Sequence, residues 1–235
     1  MVRDTEDGWN KMTVFPFALS ALIGYFFGAL PIGYLLVKWT KKIDLRDIGS
    51  GRTGGTNSFR AAGLPVGILT AITDVLKAAC AVWLIRAIYT GILTADVLPW
   101  AEIVTGLMSV VGHNWSVFLG WSGGAGTGPN VGWAAAIWWP VAPVAAIVVA
   151  GLLWLVGMAS VASLAMAAVI PVSFLVLYLA GVNPYDHTIA YVVGGILSAS
   201  VVAWALRPNI KRLLEGKERI VGPRAKRMKR QQGEA

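Results

Sequence analysis

Between Asn130 and Ala180 the chain runs through 51 residues without a single Asp, Glu, Lys or Arg. A soluble domain has no way to cover a segment of that length on every side. In lipid, such a segment has to satisfy its own backbone N–H and C=O groups, which makes it helical. Four further apolar runs, Val14–Val37, Leu64–Tyr89, Leu98–Leu119 and Thr188–Leu206, each approach the ~20 residues that one crossing of the hydrocarbon core requires. Charged residues make up only 14% of the chain, against about 25% in soluble domains. The expected fold is all-α, a polytopic membrane protein.

The positive charge decides orientation. Of 20 Lys and Arg residues, six lie between Lys38 and Arg60 and ten between Arg207 and Arg230. Basic blocks flanking apolar segments follow the positive-inside pattern and attract anionic headgroups, so membrane lipids are expected partners and nucleic acid is not. With both blocks cytoplasmic, an even number of passes separates them, and Asn130–Ala180 must supply an odd number. At about 1.5 Å per residue its helix is roughly 76 Å long, enough for three thin crossings. The middle one, Gly151–Ser163, is expected to be short or broken. This gives about seven transmembrane helices, N-terminus outside and C-terminus cytoplasmic. The expected organisation is one membrane domain, residues 1–220, followed by a basic, disordered tail, 221–235. Val14–Val37 is too long for the apolar part of a cleaved signal peptide. Cys80, the only cysteine, is expected to serve as a small packing residue.

Three polar segments then share the cytoplasmic side. In the first, Gly49, Gly51, Gly54 and Gly55 expose backbone N–H groups, Arg46, Arg52 and Arg60 add charge, and Ser50, Thr53, Thr56 and Asn57 add short donors. Such a glycine-rich turn forms an anion nest; a flexible basic linker is the plainer alternative. It is no nucleotide P-loop, because Gly54-Gly55-Thr56 lacks the required lysine. The second segment, Gly120–Pro129, is an uncharged glycine turn leading into the helix of Asn130, either an anion site at a helix N-terminus or a tight connection. In the third, Ile210, Leu213 and Leu214 share one face of a surface helix. Within the apolar runs, Asp74 and Lys77 stand three apart, the spacing of an internal ion pair. His113 reads either as a base or as a hydrogen-bonded structural histidine. No catalytic triad or metal-ligand spacing appears.

These segments together resemble the bacterial acyl-phosphate:glycerol-3-phosphate acyltransferases. Gly49 to Arg60 matches the family's Gly-Ser-Gly-Asn-x-Gly-x-Thr-Asn-x-x-Arg except at Arg52. Gly28–Leu35, Asp44–Arg46, Asp74–Lys77, Gly112-His113, Gly123–Gly126 and Asn209–Glu218 also look like the family, over roughly residues 20 to 220. The resemblance implies a multi-pass enzyme of the bacterial inner membrane. It would move a fatty acyl group from acyl phosphate to glycerol 3-phosphate, giving lysophosphatidic acid and phosphate, with no cofactor and no metal. Carried over by position, Ser50, Arg60 and Asn209 are catalytic. Arg46, Gly49, Gly51, Arg52, Thr56, Asn57, His113, Gly123, Gly124, Gly126 and Arg212 bind substrate phosphate, and Glu218, Asp74 and Lys77 are structural. Three positions depart from the pattern: Arg52 replaces asparagine, Ala125 lysine and Leu206 histidine. The cation gained at 52 is expected to offset the one absent at 125. Other readings are an acyltransferase with another phosphorylated acceptor, or a non-catalytic lipid-phosphate binder or transporter. The inverted repeats common in transporters are not evident.

Overall fold

The computed structural model describes residues 3–182 and 189–231. Most of the expected loop Gly181–His187 and the last four tail residues lie outside them. The described chain is helical: α1 (Arg3–Ala29), α2 (Ile32–Lys41), α3 (Gly55–Ala62), α4 (Leu64–Tyr89), α5 (Leu98–Asn114), α6 (Thr127–Ile137), α7 (Val141–Leu155), α8 (Ala159–Leu179), α9 (Ala190–Ala205), α10 (Arg207–Leu214) and α11 (Gly222–Gln231), with 3-10 turns at Leu45–Asp47 and Val117–Leu119. Its one β feature among the described residues is an isolated bridge, Ser116 to Ser122.

By length and composition three spans are long and apolar enough to cross a membrane: Val14–Lys41, Leu64–Tyr89 and Ala159–Leu179. A fourth is α9 with α10, bent by 66° between them. The remaining helices are shorter and complete the bundle around α5, which packs against α1, α4, α6 and α9. The outer faces are apolar. Leu69, Ile72 and Leu76 on α4, Ile147 on α7 and Val172, Val176 and Leu179 on α8 all point outward, as lipid-facing residues must. Inside, Thr70, Thr105, Ser109 and Ser198 are buried, and each hydroxyl bonds a carbonyl three or four residues back. Small residues at helix contacts compensate for the weak hydrophobic drive between helices in lipid. A Cβ on Gly24 would overlap the Thr105 carbonyl and one on Gly28 the Ser109 carbonyl. The Gly24-x-x-x-Gly28 stripe therefore seats α1 on α5.

Several expectations change. The first pass is not one helix: the chain breaks at Leu30-Pro31 before α2. The first polar segment is not wholly loop, since α3 occupies Gly55–Ala62. Asn130–Ala180 does contribute three helices, but Gly151–Ser163 is a junction and no short pass. Gly157 takes φ +70 there, a conformation that ends a right-handed helix. The tail is helical over α11 where disorder was expected. It is fastened to α7 by Arg224 Nη1 on Val156 O (2.8 Å), by Arg227 Nη2 on Trp154 O (2.6 Å) and by Arg227 over the Trp154 ring. Cys80 is exposed on the outer face of α4 and does not pack inside the bundle.

Gly28→Ala should lower stability by about 1–3 kcal/mol, because backbone, not a pliant side chain, blocks the new methyl group. Gly151→Ala meets nothing within 4 Å and should be neutral or stabilising by up to about 1 kcal/mol. Denaturation in detergent micelles, read by the melting temperature of each variant, checks the contrast.

Candidate active site

The first polar segment is folded around one carboxamide. Asn57 Nδ2 faces the carbonyls of Leu45 (3.2 Å), Ile48 (2.8 Å) and Arg52 (2.8 Å), while Oδ1 accepts from Ser50 N (3.3 Å) and Arg60 Nη1 (3.4 Å). Asn57 thus scaffolds the turn from a buried position and has no donor to spare for a phosphate. Of the four glycines, Gly49 and Gly51 take positive φ; Gly54 is extended and caps α3. Thr53 N reaches Gly123 O (3.3 Å), which joins the first segment to the second.

These segments and the tail enclose a cavity of about 730 Å³, bounded also by α4, α6, α7 and α8. Ser50, Arg60 and Asn209, the expected catalytic residues, all line it, as do Gly49, Arg52, Thr56, Asn57, His113, Arg212, Asp74 and Glu218. Gly51, Gly123, Gly124, Gly126 and Lys77 do not line it. Arg46 lies apart, paired to Asp44 at 2.7 Å; the Arg46 hydrogen bond holds the Asp44 carboxyl down at about 2. Thr127 and Gly128, in the first turn of α6, face the cavity as well, so the second segment does present a helix N-terminus, starting three residues before Asn130. Beyond the polar mouth the wall turns apolar and small, with Ala142, Ala146, Ala150, Ala162 and Met166 along α7 and α8.

Glu218 organises one side of the mouth. Its Oε1 accepts from Asn209 Nδ2 (2.8 Å) and Ser160 Oγ (2.7 Å), and its Oε2 from Arg212 Nε (3.1 Å). Burial raises its pKa, and these hydrogen bonds outweigh burial and hold it below the usual value. Arg52 is pushed below its ordinary pKa by burial first and by neighbouring Arg212 second. Its Nη2 donates to Ala205 O at 2.6 Å, which sets its guanidinium beside Leu206. Ser160 and Arg219 were not singled out from the sequence. Ser160 lies in the uncharged stretch, and Arg219 follows directly on the last motif residue.

Behind the wall lies a buried polar cluster. Lys77 Nζ has three acceptors: Asp74 Oδ1 (2.9 Å), His113 Nδ1 (3.0 Å) and Leu30 O (3.0 Å). An ammonium has three protons, and all are used. His113 Nδ1 is the acceptor for the Lys77 proton and also lies 3.5 Å from Asp74 Oδ1. The expected Asp74–Lys77 pair is present and is enlarged by the histidine. Gly124 lies against that ring so closely that a Cβ there would overlap Nε2. Its hydrogen atom is needed for packing, whatever else the turn does. Among the described residues no group of three or more His, Cys, Asp or Glu could hold a metal ion.

The glycerol-3-phosphate acyltransferase family model matches residues 18–216. The chain belongs to this family. It is 37% identical over 211 residues to the glycerol-3-phosphate acyltransferase of Rubrobacter xylanophilus, covering 88% of this chain and 96% of the relative. The enzyme of Parasynechococcus marenigrum is 34% identical over 214 residues, with 89% and 94% covered. A crystal structure of PlsY, an integral membrane glycerol 3-phosphate acyltransferase in its glycerol 3-phosphate form, superposes with a TM-score of 0.73 at 31% identity, covering 88% of this chain and 96% of that one. The lysophosphatidic acid form gives 0.71 at 30%. Within this acyltransferase fold, Arg52, Ala125 and Leu206, the three departures from the family pattern, all line the same cavity.

Glu218→Gln should loosen the tail and lower stability at neutral pH by about 1–3 kcal/mol. A carboxylate with a depressed folded pKa stabilises above its ordinary value near 4.5 and loses that contribution as pH falls through the lower folded value. Melting curves of the wild type and the glutamine variant should therefore differ at pH 7 and converge as the medium is acidified below about 4.

Proposed function

We propose that the chain transfers a fatty acyl group from acyl phosphate to the 1-hydroxyl of glycerol 3-phosphate, releasing lysophosphatidic acid and inorganic phosphate. The observation that carries this reading is a single cavity with an arginine-rich polar mouth and a small-residue apolar interior. That combination suits an amphiphile whose phosphate stays at the mouth while its chain lies between helices. The glycerol oxygen attacks the acyl carbonyl carbon, the carbonyl–phosphate bond breaks, and phosphate departs with the bonding pair. The proton of the attacking hydroxyl passes to a substrate phosphate oxygen. Arg60 and Arg52 hold phosphoryl oxygens by charge-assisted hydrogen bonds, and Ser50 offers a hydroxyl beside them. Asn209 gives its N–H to Glu218, and its carbonyl oxygen is left to accept from a glycerol hydroxyl. The α6 N-terminus at Thr127 and Gly128 adds fixed positive potential.

The membrane reading supports the same chemistry. Seven passes, with N-terminus outside and the basic segments at the cytoplasmic leaflet of the inner membrane, put the mouth where soluble glycerol 3-phosphate and a membrane-bound acyl donor meet. Arg52 stands beside Leu206, so the cation gained in the first motif occupies the neighbourhood of the absent histidine as well as offsetting the lysine absent at Ala125.

Purified protein in micelles should release phosphate when given acyl phosphate and glycerol 3-phosphate together. Bound ligand without turnover would mark a binder, and turnover with another phosphorylated acceptor alone would move the substrate. Arg60→Gln should lower kcat/KM about 100-fold, the loss of a charge-assisted bond worth roughly 2–3 kcal/mol. Arg52→Asn, which restores the family residue, should lower it about tenfold; unchanged turnover would sink the offset.

A further inference from the structure

We infer that Arg219, on the tail segment past α10, completes with Arg60 a second phosphate-binding position in the cavity mouth, separate from that of Arg52 and Arg212. This deepens the reading of the site as one that handles two phosphorylated substrates. Arg219 lies just past residues 18–216, which the family model matches, and directly follows Glu218.

Two observations bring the two arginines together. Arg219 Nη1 donates to Gly49 O at 2.7 Å. A Cβ on Gly49 would stand 3.3 Å from Arg60 Cδ and 3.5 Å from Arg60 Nη1. Both side chains therefore converge on one residue from opposite walls, one from α3 and one from the tail, and both line the cavity. Burial first, and the neighbouring Arg219 second, lower the pKa of Arg60.

Convergent like charges need a counter-ion. Among the described residues neither Arg60 nor Arg219 makes an ion pair. The two carboxylates at the wall are already engaged, Asp74 by Lys77 and Glu218 by Arg212. An anion with several oxygens, a phosphoryl group, meets that need and suits the planar guanidinium fork. The position of Arg219 is fixed rather than fortuitous. Glu218 on one side is anchored to Ser160, Asn209 and Arg212, and on the other Val221 N bonds Gly157 O at 2.6 Å. The two arginine pairs differ in kind: Arg212 is ion-paired to Glu218, while Glu218 acts on Arg60 only from a distance and makes no ion pair with Arg219. Two phosphoryl groups seated at once on separate pairs avoid their mutual repulsion until one of them leaves.

The test uses the full chain in micelles with R219Q, R219K, R60Q and the R60Q/R219Q double variant. R219Q should raise KM for one of the two phosphorylated substrates about tenfold, leaving the other KM within about twofold and kcat within about threefold. R60Q should raise the same KM, and the double variant should fall short of the product of the two effects. R219K should be intermediate. Independently of turnover, the inorganic phosphate concentration that half-saturates the rise in melting temperature should increase several-fold in R219Q. This readout stands even if the wild type transfers no acyl group. Unchanged KM values and phosphate titration would overturn the inference. So would an equal rise in both KM values, or a fall in kcat alone, which would mark a tail that merely holds the loop in place. If R219Q does not fold, R219K carries the test, with an expected change of about threefold in one KM and no change as the overturning result.

Discussion

The Lys77 ammonium holds the site end of the bundle together. An amine buried among apolar helices is tolerated only when each proton has an acceptor and a negative charge lies close. Here the acceptors come from three places: Asp74 on the same helix, His113 on α5, and the Leu30 carbonyl at the break between α1 and α2. Pro31 interrupts the first span, and the carbonyl left over is the one that Lys77 takes. The break, the ion pair and the histidine are therefore one arrangement. It fixes the start of α2 against α4, and through the His113 ring, on which Gly124 lies, it fixes the second glycine turn too.

The cavity follows from that placement. The Gly124 turn leads straight into α6, and Gly128 of α6 sits on Asp74, where a Cβ would stand 2.7 Å from the Asp74 Cβ. The helix N-terminus is thus pressed against the buried cluster and faces the mouth. Thr53 N on Gly123 O then ties the arginine-bearing first segment to the same turn. Lipid solvates the outside of the bundle without driving helices together, so close packing at glycine, alanine and serine does most of the holding. Small residues along α7 and α8 leave room between helices, and that room is the apolar arm of the site.

The helical class, the long span α4 and the gathering of three polar segments were legible because apolar runs and basic blocks are long-range signals that survive any local detail. Ser50, Arg60 and Asn209 were singled out through the family resemblance, and the structure brings all three to one cavity. The break at Pro31 was not read, since a proline inside a long apolar run is tolerated in many spans and only the Lys77 contact makes it a functional bend. The stretch Gly151–Ser163 was read as a short or broken pass, whereas the positive φ of Gly157 makes it the turn on which the tail docks. The helix α11 escaped because its basic composition argues for disorder in isolation. Carbonyls at the exposed end of α7 give Arg224 and Arg227 partners that no linear pattern announces. Asn57 shows the opposite failure: its type suits phosphate, but its position commits every donor to the backbone.

The three departures from the family pattern share one cavity wall. Charge in a cavity acts through the summed potential at the ligand, not through one sequence position. At an effective dielectric near 20, a unit charge 4 Å away contributes about 4 kcal/mol, and at 8 Å about half as much. Moving a cation by the width of one side chain thus leaves much of its effect on a phosphate intact. Arg52, bound to Ala205 O next to Leu206, stands in the same cavity wall from which two basic side chains of the pattern are absent. A neutral side chain at 125 and an apolar one at 206 become compatible with an anionic ligand once a guanidinium fills the space between the first motif and the end of α9. What such an exchange alters is geometry: a planar five-donor fork replaces a point charge and a ring nitrogen. On the proposed reading, the pattern of the motifs is one solution to a charge requirement that a different set of side chains can also meet.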